Sequence, residues 1–175
     1  DVYKRQVQKV IDAEQQVKDL GIQMKDASSV LFLGRHVGFP VALEGALKLK
    51  EIAYIHAEGF AAGELKHGPI ALIEEGQPVF VIVPSPRGRD SLHAKVVSNI
   101  QEIRARGAIT IVIAEEGDED VQQYANHLIY VPQAPSLMQP LLATVPLQIF
   151  ACALAGAKGY DVDQPRNLAK SVTVE

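Results

Sequence analysis

Four short, uninterrupted runs of apolar residues constrain the fold of this chain more than any other feature of its sequence. They are SVLFL (29–33), PVFVIV (78–83), AITIVIA (108–114) and HLIYV (127–131). A strand that faces water on one side alternates apolar and polar residues, whereas a strand buried on both faces reads as a continuous apolar run. The four runs therefore predict a parallel sheet that is covered on both sides.

Segments with helix-start and helix-stop residues separate these runs. We predict helices over 7–20, from Pro40 to about Gly59, from Asp90 or Ser91 to about Arg106, and from about Ser136 to Lys158. Strands that alternate with helices form βαβ units. The predicted fold class is α/β, a three-layer αβα sandwich with a mostly parallel, doubly wound (flavodoxin-like) sheet. Ligands of such sheets usually bind beyond the carboxyl ends of the strands.

Length and charge limit the possible functions. The 175 residues are enough for one α/β domain with a hydrophobic core, and the net charge of −4 argues against nucleic acid binding. The single cysteine, Cys152, lies in the apolar run QIFACALAG, and we predict a buried thiol in a cytoplasmic protein. The first six residues, DVYKRQ, have no recognisable role, and we expect a truncation point or a cloning scar.

The sequence predicts neither a membrane-spanning helix nor a structural metal site. The longest apolar stretch, 141–157, is interrupted by Pro146 and Gln148 and is shorter than the roughly 20 residues of a membrane span, so we predict a core helix and no membrane partner. The sequence contains no HxH, HxxxH or CxxC spacing, so we expect no structural metal site.

Polar side chains form one stripe along the second predicted helix. At 3.6 residues per turn, Glu44, Lys48, Glu51 and Glu58 fall on one narrow face. From spacing alone two interpretations stay open. The stripe is either a solvated row of ion pairs, or Glu51 is a base beside a Lys48 that binds an oxyanion or phosphate, which requires a closed pocket.

The histidines differ in their predicted surroundings. His67 lies in a loop bounded by glycine and proline, so it is unlike a core histidine. His56 falls on the apolar side of the predicted helix, and we interpret it as structural. The tail, YDVDQPRNLAKSVTVE, has neither a helical nor a strand period, yet its residues are too varied for a low-complexity terminus.

Two stretches, EGALKLKEIAYIHAEGFAAGELKHGP and DVDQPRNLAKSVTVE, resemble the glucosamine-6-phosphate synthase family, also named glutamine–fructose-6-phosphate aminotransferase (isomerising). The first stretch alone is typical of sugar isomerase (SIS) domains, and the tail points to the synthases. The resemblance extends over 29–175. It implies that 7–158 form the second of two SIS subdomains, with a helix at its amino end, and that 159–175 form an active-site tail.

The resemblance also implies roles for individual residues. Glu51 corresponds to the base that moves a proton between C1 and C2 of the sugar. His67 corresponds to a histidine that opens the sugar ring from across a homodimer interface. Lys170 corresponds to a tail lysine that takes part in ring opening and proton transfer. Lys48 and Ala169 correspond to residues that contact the substrate.

The implied reaction converts fructose 6-phosphate and ammonia from glutamine into glucosamine 6-phosphate, a step toward UDP-N-acetylglucosamine, without a metal or organic cofactor. A glutaminase domain and a first SIS subdomain, which holds the phosphate, are expected on the full-length chain. We therefore expect this chain to be inactive alone. The alternatives are another SIS phosphosugar isomerase or deglycase, and a non-catalytic SIS module that binds a phosphosugar.

Overall fold

The computed structural model describes residues 2–87 and 92–167. The elements, in chain order, are α1 (Val2–Asp12), α2 (Glu14–Gln23), β1 (Ser29–Gly34), α3 (Gly38–Lys48), β2 (His56–Ala61), β3 (Pro78–Ile82), α4 (Leu92–Arg104), β4 (Ile109–Glu115), β5 (His127–Val131) and α5 (Gln139–Ala157). A π-helical turn, Leu49–Ala53, extends α3, and 3₁₀ turns cover Ala62–His67, Pro69–Leu72 and Gln122–Tyr124. The predicted start of α4 at Asp90 or Ser91 lies outside the described residues.

The five strands form one sheet in the order β2-β1-β3-β4-β5, and every neighbouring pair is parallel. This order is that of flavodoxin-like doubly wound folds. The predicted fold class is confirmed. The four predicted strands are β1, β3, β4 and β5, and the structure adds β2 as an edge strand.

The apolar runs divide their side chains between two hydrophobic cores. Phe32, Phe80 and Ile111 face α3 and α5, and we call this side the α3/α5 face. Their neighbours in sequence pack against α4 on the opposite side, the α4 face. The ring of Phe80 stacks on Phe32 at 5.0 Å and meets Phe150 of α5 edge-on at 4.7 Å. Burial on both faces is what the uninterrupted runs predicted.

The prediction of one helix from Pro40 to about Gly59 is wrong in its second half. α3 ends at Lys48, the π turn follows, and Tyr54 takes a left-handed conformation with φ of 55°. The chain then reverses into β2, which pairs with β1 from Ser29 opposite His56 onward. β2 has exposed residues because it is an edge strand, so its sequence, HAEGFA, lacks the apolar run that marked the other strands.

α5 is a core helix, as the sequence predicted. Its 19 residues and mean hydropathy of 1.7 would also suit a membrane span by length and composition. A core helix has the same composition, and Leu142, Phe150 and Leu154 of α5 are buried in the core of the α3/α5 face. Helical structure at the amino end starts at Val2, before the predicted start, and continues through α2.

The prediction of a buried Cys152 is wrong, because the side chain is exposed on the outer side of α5. The run around it is apolar on all sides, so the sequence could not indicate which side of the helix the other elements would cover. Partial burial of the sulfur, and then the charge of Asp163, raise the pKa of the Cys152 thiol above its usual value.

Close packing of α3 on the sheet predicts the effect of adding one methyl group. A Cβ atom at Gly45 would lie 2.8 Å from Cε1 of Phe32 and 2.9 Å from Cδ1 of Leu147. We expect Gly45→Ala to lower the free energy of unfolding in urea by about 1–3 kcal/mol. Gly156→Ala is the control, because a Cβ there meets no heavy atom within 4 Å. It should raise stability by about 0.5–1 kcal/mol. Equal stabilisation by both variants would contradict the packing.

Candidate active site

Of the predicted site residues, Lys48 and Glu51 lie toward the amino ends of the strands. α3 begins after the carboxyl end of β1 and runs back across the sheet. Glu51 therefore lies near the amino ends of β1 and β2, where Ser29 pairs with His56. The expectation that a ligand would bind beyond the carboxyl ends does not fit this position. Helix α5 also runs from the carboxyl ends to the amino ends of the strands, so the tail that follows it starts at the same end of the sheet.

Lys48 is paired with two carboxylates. Its Nζ lies 2.5 Å from Oε2 of Glu51 and 3.4 Å from Oε1 of Glu44. The side chains of Lys48 and Glu51 are 26% and 27% exposed, which is intermediate between a solvated row and a closed pocket. The hydrogen bond to Glu51 is the main cause that raises the pKa of Lys48, with burial acting in the opposite direction. The predicted stripe is confirmed up to Glu51 and ends there, because Glu58 belongs to β2.

The π turn sets the position of Glu51. Over Leu49–Ala53 the helix is wider than an α-helix, and the backbone N–H of Tyr54 donates to the carbonyl oxygen of Leu49. Single π turns inside helices occur frequently at functional sites. The widened turn and the left-handed Tyr54 end the helix and direct Ile55 into the core, where it is 5% exposed.

An open cleft of about 500 Å³ lies beside the π turn. Its walls are Lys50, Glu51, Tyr54, Ile55, His56, Arg166 and Asn167. The cleft thus combines one carboxylate with several cationic or basic side chains. Lys48 is not among the lining residues, and it contacts Glu51 from within the helix.

His56 is not the structural core histidine that the sequence analysis predicted. Its side chain is 77% exposed at the start of β2, and Nε2 lies 3.9 Å from Oε2 of Glu58. The error follows from the helix that was extended too far, because a residue on the apolar side of a helix became the first residue of an edge strand.

The tail approaches the same cleft. The backbone N–H of Arg166 donates to Oη of Tyr54 over 2.8 Å, and the Arg166 guanidinium lies 4.0 Å from the centre of the Tyr54 ring. The neighbouring Asn167 lines the cleft. The predicted site residues Ala169 and Lys170 lie outside the described residues.

His67 is not brought to Glu51 within one chain. It ends the 3₁₀ turn that follows β2, and its side chain is exposed. Leu65 of the same turn packs in the core of the α4 face, and Lys66 forms an ion pair of 2.8 Å with Glu102 of α4. Glu51 belongs to the helix on the other face, so the sheet separates the two predicted catalytic residues.

The sequence analysis did not find Lys50, Tyr54 and His56 as cleft residues. On an ideal helix Lys50 and Tyr54 share a face because they are four positions apart, but His56 lies on a different face, so helical spacing did not connect all three. The left-handed turn at Tyr54 brings them to one side. The varied residues of the tail are unlike a low-complexity terminus, and two of them, Arg166 and Asn167, line the cleft together with Glu51.

Comparison with known proteins agrees with the fold. The family model described as SIS domain matches residues 23–158. The chain belongs to the SIS domain family. This SIS domain is 85%, 71% and 68% identical over 169 residues to the glutamine–fructose-6-phosphate aminotransferases [isomerizing] of Corynebacterium glutamicum, Streptomyces coelicolor and Mycobacterium tuberculosis, respectively. Each alignment covers 97% of this chain. The chain itself spans only 27% to 28% of the length of these curated relatives.

Solved structures show the same relation. The C-terminal domain of glucosamine-fructose-6-phosphate aminotransferase from Francisella tularensis matches with a TM-score of 0.81 and 36% identity, over 90% of this chain and 43% of that chain. Glucosamine-6-phosphate deaminase from Thermotoga maritima matches with a TM-score of 0.62 and 24% identity, over 94% of this chain and 48% of that chain, and it supports the fold alone. The resemblance inferred from the two sequence motifs is confirmed.

The Lys48–Glu51 pair predicts a measurable titration. Because the hydrogen bond to Glu51 is the main cause of the raised pKa of Lys48, Glu51→Gln should move that pKa back toward its usual 10.5. NMR titration of ¹³C-labelled lysine measures it. Glu44→Gln should have a smaller effect, because the contribution of Glu44 is smaller. An unchanged pKa in Glu51→Gln would contradict the pairing.

The same shift determines how the stability depends on pH. The pKa of Lys48 is higher in the folded chain than the usual 10.5, so the pair stabilises the fold below that pH. This contribution is lost as the pH rises through the folded-state pKa. Lys48→Met should therefore cost about 1 kcal/mol at pH 8, and the difference from the unchanged chain should disappear under strongly alkaline conditions.

Proposed function

We propose that this SIS domain carries the proton-transferring base of a glutamine–fructose-6-phosphate aminotransferase. The full-length protein would convert fructose 6-phosphate and glutamine into glucosamine 6-phosphate. The observation that carries the proposal is the position of Glu51, which lines the cleft while Lys48 holds its Oε2 at 2.5 Å. The relatives with this name, up to 85% identical to the chain, support it.

The arrangement suits a proton transfer between two neighbouring carbon atoms. Ammonia from glutamine adds to the C2 carbonyl of the open-chain sugar and water leaves, which gives an imine. Glu51 then takes a proton from C1, and the electron pair of the C–H bond moves into a C1–C2 double bond while the nitrogen gains a proton. Return of the proton to C2, with loss of the C1 hydroxyl proton that balances the proton gained by nitrogen, produces the aldehyde at C1. One carboxylate can carry the proton in both directions, as general acid–base catalysis requires.

The charge around Glu51 favours an anionic substrate. Lys50 and Arg166 line the same cleft, and their cationic side chains attract a phosphorylated sugar. We assign the phosphate itself to the first SIS subdomain, as the family resemblance implies. In this scheme Lys48 orients Glu51 and contacts the sugar, and the tail contributes the backbone of Ala169 and the side chain of Lys170.

The separation of His67 and Glu51 supports a homodimer. His67 is exposed on the α4 face, whereas Glu51 belongs to the α3/α5 face. We therefore assign ring opening at each cleft to the partner's His67. The reaction is acid–base chemistry, and the proposal includes no metal or organic cofactor. We assign the enzyme to the cytoplasm, without a nucleic acid or membrane partner.

Two features favour this function over its alternatives. The tail, DVDQPRNLAKSVTVE, is not expected in other SIS isomerases or deglycases. A non-catalytic phosphosugar-binding module would need no carboxylate in the cleft, and Glu51 is held there by Lys48.

Substitution of Glu51 in the full-length protein tests the base. We expect Glu51→Gln to lower kcat for glucosamine 6-phosphate by about 10²–10⁴-fold, because the amide cannot accept the C1 proton. Proton exchange at C1 of fructose 6-phosphate in deuterated water should fall by a similar factor. Glu44→Gln is the matched control, since it contacts Lys48 from the other side without lining the cleft. Near-normal C1 exchange in Glu51→Gln would refute the assignment.

Mixed dimers test the partner's His67. A heterodimer of one Glu51→Gln subunit and one His67→Ala subunit, purified through two different tags, has one cleft with both functional residues only if His67 acts across the interface. We then expect about half of the unmodified activity, although each variant homodimer is inactive. Both clefts would be defective if His67 served its own chain, so an inactive heterodimer would disprove the arrangement.

A further inference from the structure

Tyr54 occupies an uncommon backbone conformation. Its φ of 55° and ψ of 33° lie in the left-handed region, which bulky residues rarely adopt and which glycine or asparagine tolerates better. The residue ends the π turn that carries Glu51 and precedes the buried Ile55. A tyrosine at this position is informative because the side chain makes several contacts that a glycine could not make.

Those contacts all involve the tail. Oη of Tyr54 accepts the backbone N–H of Arg166 over 2.8 Å, and the face of the ring lies 4.0 Å from the Arg166 guanidinium carbon. The Tyr160 ring meets Tyr54 edge-on at 4.9 Å, and Nζ of Lys158 lies 5.9 Å from the centre of the Tyr160 ring. The hydrogen bond fixes the main chain of the tail, and the cation–π contact fixes a side chain.

The direction of the tail follows from these contacts. After Arg166, Asn167 has a φ of 63° and lines the cleft together with Glu51. Tyr54 lies only three positions beyond Glu51 in the chain, so the residue that holds the tail is part of the same turn as the proposed base. Movement of that turn would move both together.

We propose that Tyr54 is a positioning residue for the reaction, because it holds Arg166 and Asn167 beside Glu51. The inference rests on the proposed function. Tyr54 acts on the substrate through the tail and takes no proton itself. A tail that is already oriented before the substrate binds loses less conformational freedom during the reaction. Loss of the contacts should therefore lower kcat, with a KM for fructose 6-phosphate that changes less than twofold.

The two contacts can be removed separately in the full-length protein. Tyr54→Phe removes the hydrogen bond and keeps the ring, whereas Arg166→Gln keeps the backbone N–H and removes the guanidinium. We expect each to lower kcat about threefold, and Tyr54→Leu about tenfold. Adding Arg166→Gln to Tyr54→Leu should cause no further loss of kcat, because the guanidinium has no ring to contact, and any added effect of the lost charge should fall on KM.

Hydrogen–deuterium exchange measures the contact without reference to activity. The amide of Arg166 should exchange about threefold faster in Tyr54→Phe, because its acceptor is gone. Tyr130→Phe is the matched control. Its hydroxyl also makes hydrogen bonds, to Gln122 at 2.9 Å and to the carbonyl of Asp118 at 3.2 Å, but β5 is the opposite edge of the sheet. It should leave both kcat and exchange at Arg166 unchanged.

The outcomes separate this inference from the proposed function. Unchanged exchange at Arg166 in Tyr54→Phe would refute the contact. Faster exchange with normal kcat in all three variants would refute the positioning role. If the unmodified full-length protein makes no glucosamine 6-phosphate, the proposed function fails, and the positioning role fails with it. The exchange measurement would still decide whether Tyr54 holds the tail.

Discussion

A parallel sheet can be buried on both faces only if each connection returns from the carboxyl ends to the amino ends of the strands. α3 and α5 both make this return on the same face of the sheet, where the Phe80 ring packs against Phe32 and Phe150. The carboxyl-terminal ends of α3 and α5 therefore both lie at the end of the sheet where the strands begin. Glu51 follows the end of α3, and the tail follows the end of α5. The constraint that determines the fold thus also brings the two parts of the cleft together.

The termination of α3 determines which residues lie at this end of the sheet. An α-helix that continued in register would carry Tyr54 and Ile55 farther along its own surface. Instead, the π turn and the left-handed Tyr54 reverse the chain, bury Ile55 and start β2 at His56. The uncommon conformation of Tyr54 is offset by its contacts with Arg166 and Tyr160. Local backbone strain and the anchoring of the tail therefore depend on the same residue.

The sequence predicted the strands that are buried on both faces, and it failed for the edge strand β2 and for the end of α3. Strands buried on both faces were recognisable from their apolar runs alone. The row of Glu44, Lys48 and Glu51 was recognisable from its helical spacing, and the structure shows that these side chains form ion pairs. β2 was missed because an edge strand has no such run. The wrong end of α3 then misplaced His56. Spacing could not decide whether Glu51 was solvated or functional, and that choice came from the family resemblance of the two motifs.

In the proposed mechanism, the order of the strands in the sheet explains why the site of one copy of this domain needs a residue from a second copy. Glu51 and the tail approach from the α3/α5 face, whereas the connection after β2 crosses the α4 face and is held there by Leu65 and the Lys66–Glu102 pair. A right-handed crossover from β2 to β3 must pass over that face, because β3 lies beyond β1 in the sheet. His67 follows Leu65 on the α4 face, whereas Glu51 belongs to the turn on the α3/α5 face. In the proposed mechanism, the requirement for a second subunit thus follows from strand order.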